Sequence, residues 1–109
     1  MASNSYSYVL TEVAESDIDE ALAYIAVYLK NPDAAASLLD EFDEQVENIC
    51  LAPQSGKLVE NEFLQRDNVR RFLVKNYIVY YLVDDEARKI VVLRFVYGRR
   101  HQEKIVQSL

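Results

Sequence analysis

The chain predicts an α+β domain of order β-α-α-β-β-β, a helical hairpin packed on a largely antiparallel four-stranded sheet with a short C-terminal tail. Three observations carry this reading. Residues 6–10 alternate in polarity, residues 18–49 hold two apolar runs at helical spacing broken once at Asn31-Pro32, and residues 69–97 hold three β-like runs parted by short polar breaks. With 109 residues, half of them apolar, and only two glycines and two prolines, nothing is left over for linkers or repeats. Residues 1–109 are therefore expected to form a single domain that buries about two-thirds of its unfolded surface.

The first strand follows from Tyr6, Tyr8 and Leu10, which alternate with Ser7 and Val9. Glu15, Ser16 and Asp17 supply acidic and capping groups for a helix start. Ile18, Ala21, Leu22, Ile25, Ala26 and Leu29 then line one side of a helix ending near Leu29. Asn31-Pro32 predicts an immediate restart, because Asn caps free backbone amides and proline fits the first turn without losing a hydrogen bond. In the second helix Leu39, Phe42, Val46 and Ile49 form the seam, and Asp40, Glu41, Asp43, Glu44 and Glu47 point largely away from it.

Pro53, Ser55 and Gly56 end that helix. The segment up to Asn68 reads as a loop pinned to the core by Leu58, Val59, Phe63 and Leu64. Phe72 and Val74 precede a tight break at Lys75-Asn76, and IVYYLV completes a hairpin. IVVLRFVY is apolar on both faces except at Arg94, the pattern of a central strand, and Gly98 breaks it before one or two helical turns.

Charge is strongly divided. Residues 1–65 carry 13 Asp/Glu against 2 Lys/Arg, residues 66–109 carry 5 against 10, and the halves of −11 and +5 give the net −6. An acidic molecule is a poor indiscriminate nucleic-acid binder, yet a local basic face can hold phosphate or carboxylate. No apolar run approaches the length of about 18 residues that a membrane span needs, and the N-terminus lacks a signal-peptide pattern, so a cytoplasmic protein without membrane association is expected. The single cysteine, Cys50, reads as a small buried side chain.

Arg71, Lys75, Arg94, Arg99, Arg100 and His101 fall in or just after the last three strands, where a sheet brings distant residues together. They read either as an anion-facing cluster, since the arginine fork suits bidentate contacts, or as solvated charges, with Arg94 paired to a helix carboxylate. His101 has the one side chain here that ordinarily titrates near neutrality. Tyr77, Tyr80, Tyr81 and Tyr97 can pack in the sheet or stack on bases. Tyr24 and Tyr28, one helical turn apart, can meet a partner or pack on the helix surface. No glycine-rich phosphate loop, serine elbow, metal-ligand spacing or paired-carboxylate signature occurs, so neither metal nor cofactor is expected.

In order, SDIDEALAYIAVYLKNPDAA, VRRFLVKNYIVYYLVDD and IVVLRFVYGRR resemble the RelE/ParE superfamily of type II toxin-antitoxin toxins, which includes plasmid stabilisation proteins, with the closer likeness to ParE-like members. The resemblance runs from Tyr6 to about Ile105. It implies a toxin held in an oligomeric complex by a cognate antitoxin, whose C-terminal segment wraps the toxin and whose N-terminal domain binds operator DNA. Operator DNA is then reached only through the antitoxin. ParE-like members poison DNA gyrase, whereas RelE-like members cut messenger RNA on the ribosome.

Arg71 matches a strand cation of the RelE-like set and Arg100 its terminal arginine, but Ile78 and Val106 stand where that set has arginine and tyrosine. Gyrase inhibition through Arg71, Lys75, Arg94, Arg99 and Arg100 is thus the preferred expectation. The alternative is an mRNA endonuclease with Arg71, Arg100 and His101 as catalytic residues, and a third reading is a degenerate toxin that keeps only antitoxin binding and autoregulation.

Overall fold

The structure is a computed structural model that describes residues 6–62, 64, 66–100 and 102–109. Strand β1 (Ser7–Leu10) leads directly into helix α1 (Glu12–Ala23). The Thr11 hydroxyl accepts the Ala14 N–H at 3.0 Å, so the helix starts at Glu12, ahead of the expected Glu15. Thr11 is extended and carries the capping oxygen itself, whereas the acidic residues lie within the first turns.

After Ala23 the chain loosens into a π-helical turn, Tyr24–Tyr28, in which the Leu29 N–H reaches back five residues to the Tyr24 carbonyl. The expected helix to Leu29 therefore ends in a wider turn. Lys30, at φ 53°, turns the chain, and Asn31 caps helix α2 (Pro32–Leu51) by accepting the Ala34 N–H. Along α2 the seam is Ala35, Leu38, Phe42, Val46 and Ile49, at steps of three and four. Leu38 and not Leu39 belongs to it: Leu38 is 2 % exposed and Leu39 40 %.

A short 3₁₀ turn (Pro53–Ser55) precedes β2 (Lys57–Leu58), then β3 (Arg70–Val74), β4 (Tyr77–Asp84), β5 (Lys89–Tyr97) and helix α3 (Gln102–Gln107). The sheet thus has five strands, in the order β1-β5-β4-β3-β2, instead of four. The addition is β2, whose two residues pair with Arg70 and Arg71; two residues are too few to show a period in the sequence. All pairings are antiparallel except β1 with β5, which run parallel.

Both faces of the sheet are covered. On one, Val74, Val79, Val92 and Phe95 meet Ala14 and Ile18 of α1 and Leu38, Phe42 and Val46 of α2. Phe42 sets its ring edge-on to Phe95 at 5.7 Å and to Tyr8 at 6.1 Å. On the other face, Ile78, Tyr80 and Val96 are buried under Ile105 and Val106 of α3, with Val59, Leu64 and Val69 beside them. Each fully buried valine or isoleucine contributes about 1.5–3 kcal/mol, so α3 is a structural layer and not a loose tail. Val59 and Leu64 pin the 59–69 segment as expected, while Leu58 is half exposed and Phe63 lies outside the described residues. Cys50 is half buried, and burial raises its thiol pKa.

Two polar devices fix the geometry. The Tyr81 hydroxyl donates to the Pro53 carbonyl at 2.8 Å and accepts the Gly56 N–H at 3.0 Å, while Arg70 donates to the carbonyls of Gly56 and Gln54. At the opposite edge Asp17 takes both the Arg94 guanidinium, at 2.7 and 3.1 Å, and the Phe95 N–H at 3.0 Å. No described helix is long and apolar enough to cross a membrane.

Two stability measurements check these devices. Asp17→Ala leaves a largely buried guanidinium and a strand N–H unpaired, and we expect a loss of about 2–3 kcal/mol in chemical denaturation. A loss below about 0.5 kcal/mol, typical of exposed pairs, would refute a structural role for Asp17. Gly56→Ala would place a Cβ 2.7 Å from Tyr81 Cε1, against the tip of a fully buried ring, so a clear drop in Tm is expected.

Candidate functional site

Register places Lys57 opposite Arg71, Arg71 opposite Tyr80, and Tyr80 opposite Arg94, so one row of the sheet carries three cations around a phenol. Lys57 and Arg71 are like charges set directly opposite each other, an arrangement that is unfavourable by itself. They line a hollow of about 290 Å³ with Glu60, Tyr80, Gln102 and Val106. Arg94 leaves the row: its fork is engaged by Asp17 and its charge is matched there.

Tyr80 is 2 % exposed and donates its hydroxyl to Gln102 Oε1 at 2.6 Å. Burial raises its pKa, and the nearby Arg71 pulls it partly back. A phenol so held stays protonated at neutral pH and acts as a donor, not a base. Tyr81 is a core residue whose pKa is likewise raised by burial, and Tyr77 stacks on Phe95 at 4.8 Å. Packing thus accounts for three of the four strand tyrosines. Tyr97 is 39 % exposed.

Arg100 lies elsewhere. It lines a groove of about 790 Å³ between α1 with its π-helical turn and the ends of β4 and β5, walled by Tyr24, Ile25, Tyr77, Phe95 and Tyr97. Glu20 lines the same groove. Tyr24 stacks on Tyr28 at 5.0 Å, so this pair is ordered by mutual packing although both rings stay largely exposed. The structure therefore sets Arg71 and Arg100 in different hollows. Lys75 occupies the β3–β4 turn at φ 53° and lines a third, smaller hollow against α2. Arg99 is exposed in the terminal turn, and His101 lies outside the described residues.

Sequence reasoning missed Lys57, which becomes part of the row only through β2, and Gln102, whose amide donates towards the carbonyls of Tyr97, Gly98 and Arg100. Among the described residues no group of His, Cys, Asp and Glu could hold a metal ion.

The fold is a helical hairpin on a mostly antiparallel sheet, with a basic turn after the last strand. In solved structures it recurs in the chromosomal ParDE toxin-antitoxin system from P. aeruginosa, at 21 % identity and TM-score 0.67 over 86 % of this chain and 97 % of that one. It recurs again in the toxin-antitoxin complex RelBE2 from Mycobacterium tuberculosis, at 19 % identity and TM-score 0.60 over 85 % and 98 %. Comparison with curated protein sequences gives no match. Residues 8–102 match the ParE toxin of type II toxin-antitoxin system, parDE. The chain belongs to this family, and it is a type II toxin of the RelE/ParE superfamily.

The phenols give a measurable check. A folded-state pKa above the ordinary 10.0 means that the protonated tyrosine's contribution to stability is intact below pH 10.0 and lost as pH climbs through the folded values. In an alkaline absorbance titration Tyr80→Phe and Tyr81→Phe should each remove a late component, one that titrates above the exposed tyrosines. Loss of an early component instead would contradict the burial of that ring.

Proposed function

We propose that this toxin acts by binding DNA gyrase and that a cognate antitoxin neutralises it in a joint complex. The observation that carries the reading is the separation of the two candidate arginines. Arg100 stands at an aromatic-walled groove large enough for protein side chains, while Arg71 sits in a smaller hollow of its own. Cations distributed in this way suit docking to a macromolecule more than joint attack on one phosphate. Family membership supports the same preference, and the ParDE and RelBE2 neighbours, both toxin-antitoxin assemblies, support an antitoxin partner. Operator DNA enters this scheme through the antitoxin.

A second reading has its own support. The row of Lys57 and Arg71 presents two facing cations to one hollow, an arrangement able to hold an RNA phosphate. Cleavage also needs a proton acceptor, for which His101 is the candidate.

Purified toxin should block gyrase supercoiling while leaving ribosome-bound mRNA intact in primer extension. Codon-positioned cuts with unimpaired supercoiling would replace the first reading by the second. Normal growth on induction of verified soluble protein would leave only antitoxin binding and autoregulation. Arg100→Ala should weaken growth inhibition at least about tenfold, as expected for an interface arginine, with folding and antitoxin binding retained. Unchanged inhibition would reject its role.

A further inference from the structure

We infer that Gln102 is a positioning residue, its carboxamide anchored by the Tyr80 phenol and holding residues 97–100 so that Arg100 stands in the groove beside Tyr24 and Tyr77. The inference rests on the reading of Arg100 as a target-contacting residue and extends it to the group that sets Arg100 in place.

The geometry is specific to an amide. Gln102 Nε2 lies 3.1 Å from the Arg100 carbonyl, 3.3 Å from that of Tyr97 and 3.4 Å from that of Gly98. Three carbonyl dipoles converging on one point repel each other unless a donor lies among them, and the two amide hydrogens supply it. On the other side Gln102 Oε1 receives the Tyr80 hydroxyl at 2.6 Å. Tyr80 is buried in the middle of the sheet, in register with both Arg71 and Arg94, so the anchor is rigid. Only a side chain that both donates and accepts satisfies the two sides at once.

Other restraints on the turn act on its backbone start and closure. The Gly98 N–H donates to the Asn76 carbonyl at 2.8 Å, and the Arg100 N–H closes the turn on the Tyr97 carbonyl at 3.0 Å. No ion pair among the described residues restrains the Arg99 or Arg100 side chain. The place from which the Arg100 guanidinium reaches is therefore set by its backbone, and Gln102 is the side chain that grips that backbone. Fixing the turn beforehand lowers the ordering cost when a partner binds.

Gln102→Glu tests this with little change of shape. A carboxylate cannot donate to the three carbonyls and is repelled by them, although it still accepts the Tyr80 hydroxyl. In the full-length toxin, the amount needed for half-maximal growth arrest should rise about tenfold, equivalent to the loss of one good contact. Adding Gln102→Glu to Arg100→Ala should cost no further inhibition, while Tm falls equally in both backgrounds. A Gln102→Glu toxin of unchanged potency, or one whose loss adds in full to that of Arg100→Ala, overturns the inference. Should Arg100→Ala alone leave growth arrest unaltered, the underlying reading fails and the inference falls with it. If Gln102→Glu does not fold, Tyr80→Phe removes the anchor without touching the carbonyls, and the same comparison with Arg100→Ala decides.

Discussion

Strand β5 runs five residues past Val92, the last position that β1 pairs, and those residues would present an open sheet edge if nothing met them. Helix α1 meets them with side chains in place of backbone. Thr11 donates its hydroxyl to the Leu93 carbonyl, and Asp17 accepts the Phe95 N–H while neutralising Arg94. An unpaired strand edge invites association with other chains, so the same contacts that seat α1 also guard the edge. With α1 seated there, Ala14 and Ile18 reach the core, α2 returns over the sheet, and the groove that takes Arg100 acquires its second wall. The Asp17 carboxylate thereby ties α1 to β5 where it lines the groove.

The sequence made the larger elements legible because each followed a strong period or a strong punctuation mark. Asn31-Pro32 marked the restart of α2, Gly98 ended β5, and the doubly apolar pattern of β5 suited a central strand, although it pointed to only partial cover on the second face. What escaped depended on single residues or on distance. Thr11 capped α1 ahead of the more conspicuous acidic residues, Leu38 displaced its neighbour Leu39 from the seam, and β2 was too short to announce itself. The site was less legible still. That Arg94 belongs to Asp17, that Arg71 and Arg100 occupy different hollows, and that Lys57 joins Arg71 all follow from pairings no local pattern encodes.

The division of charge acquires a spatial meaning. The acidic residues of α2, among them Asp40, Asp43, Glu44 and Glu47, are exposed on the helical layer, away from its buried seam. The basic residues Arg99 and Arg100 follow the last strand, and Lys57 and Arg71 lie beneath the α3 side of the sheet. An approaching acidic surface would therefore be repelled by the outer face of α2 and attracted towards these basic groups, which orients encounter before any contact forms.

The parallel pairing of β1 with β5 also bears on when the molecule can exist. Ser7 and Lys89 are joined across 82 positions, and until synthesis has passed Val92 the first strand has no partner and the helical hairpin has no sheet to cover. Contacts of such separation form late, because loop closure must precede them. The nascent chain thus carries no assembled groove and no ordered basic turn, and both come into being only as the last strand is added.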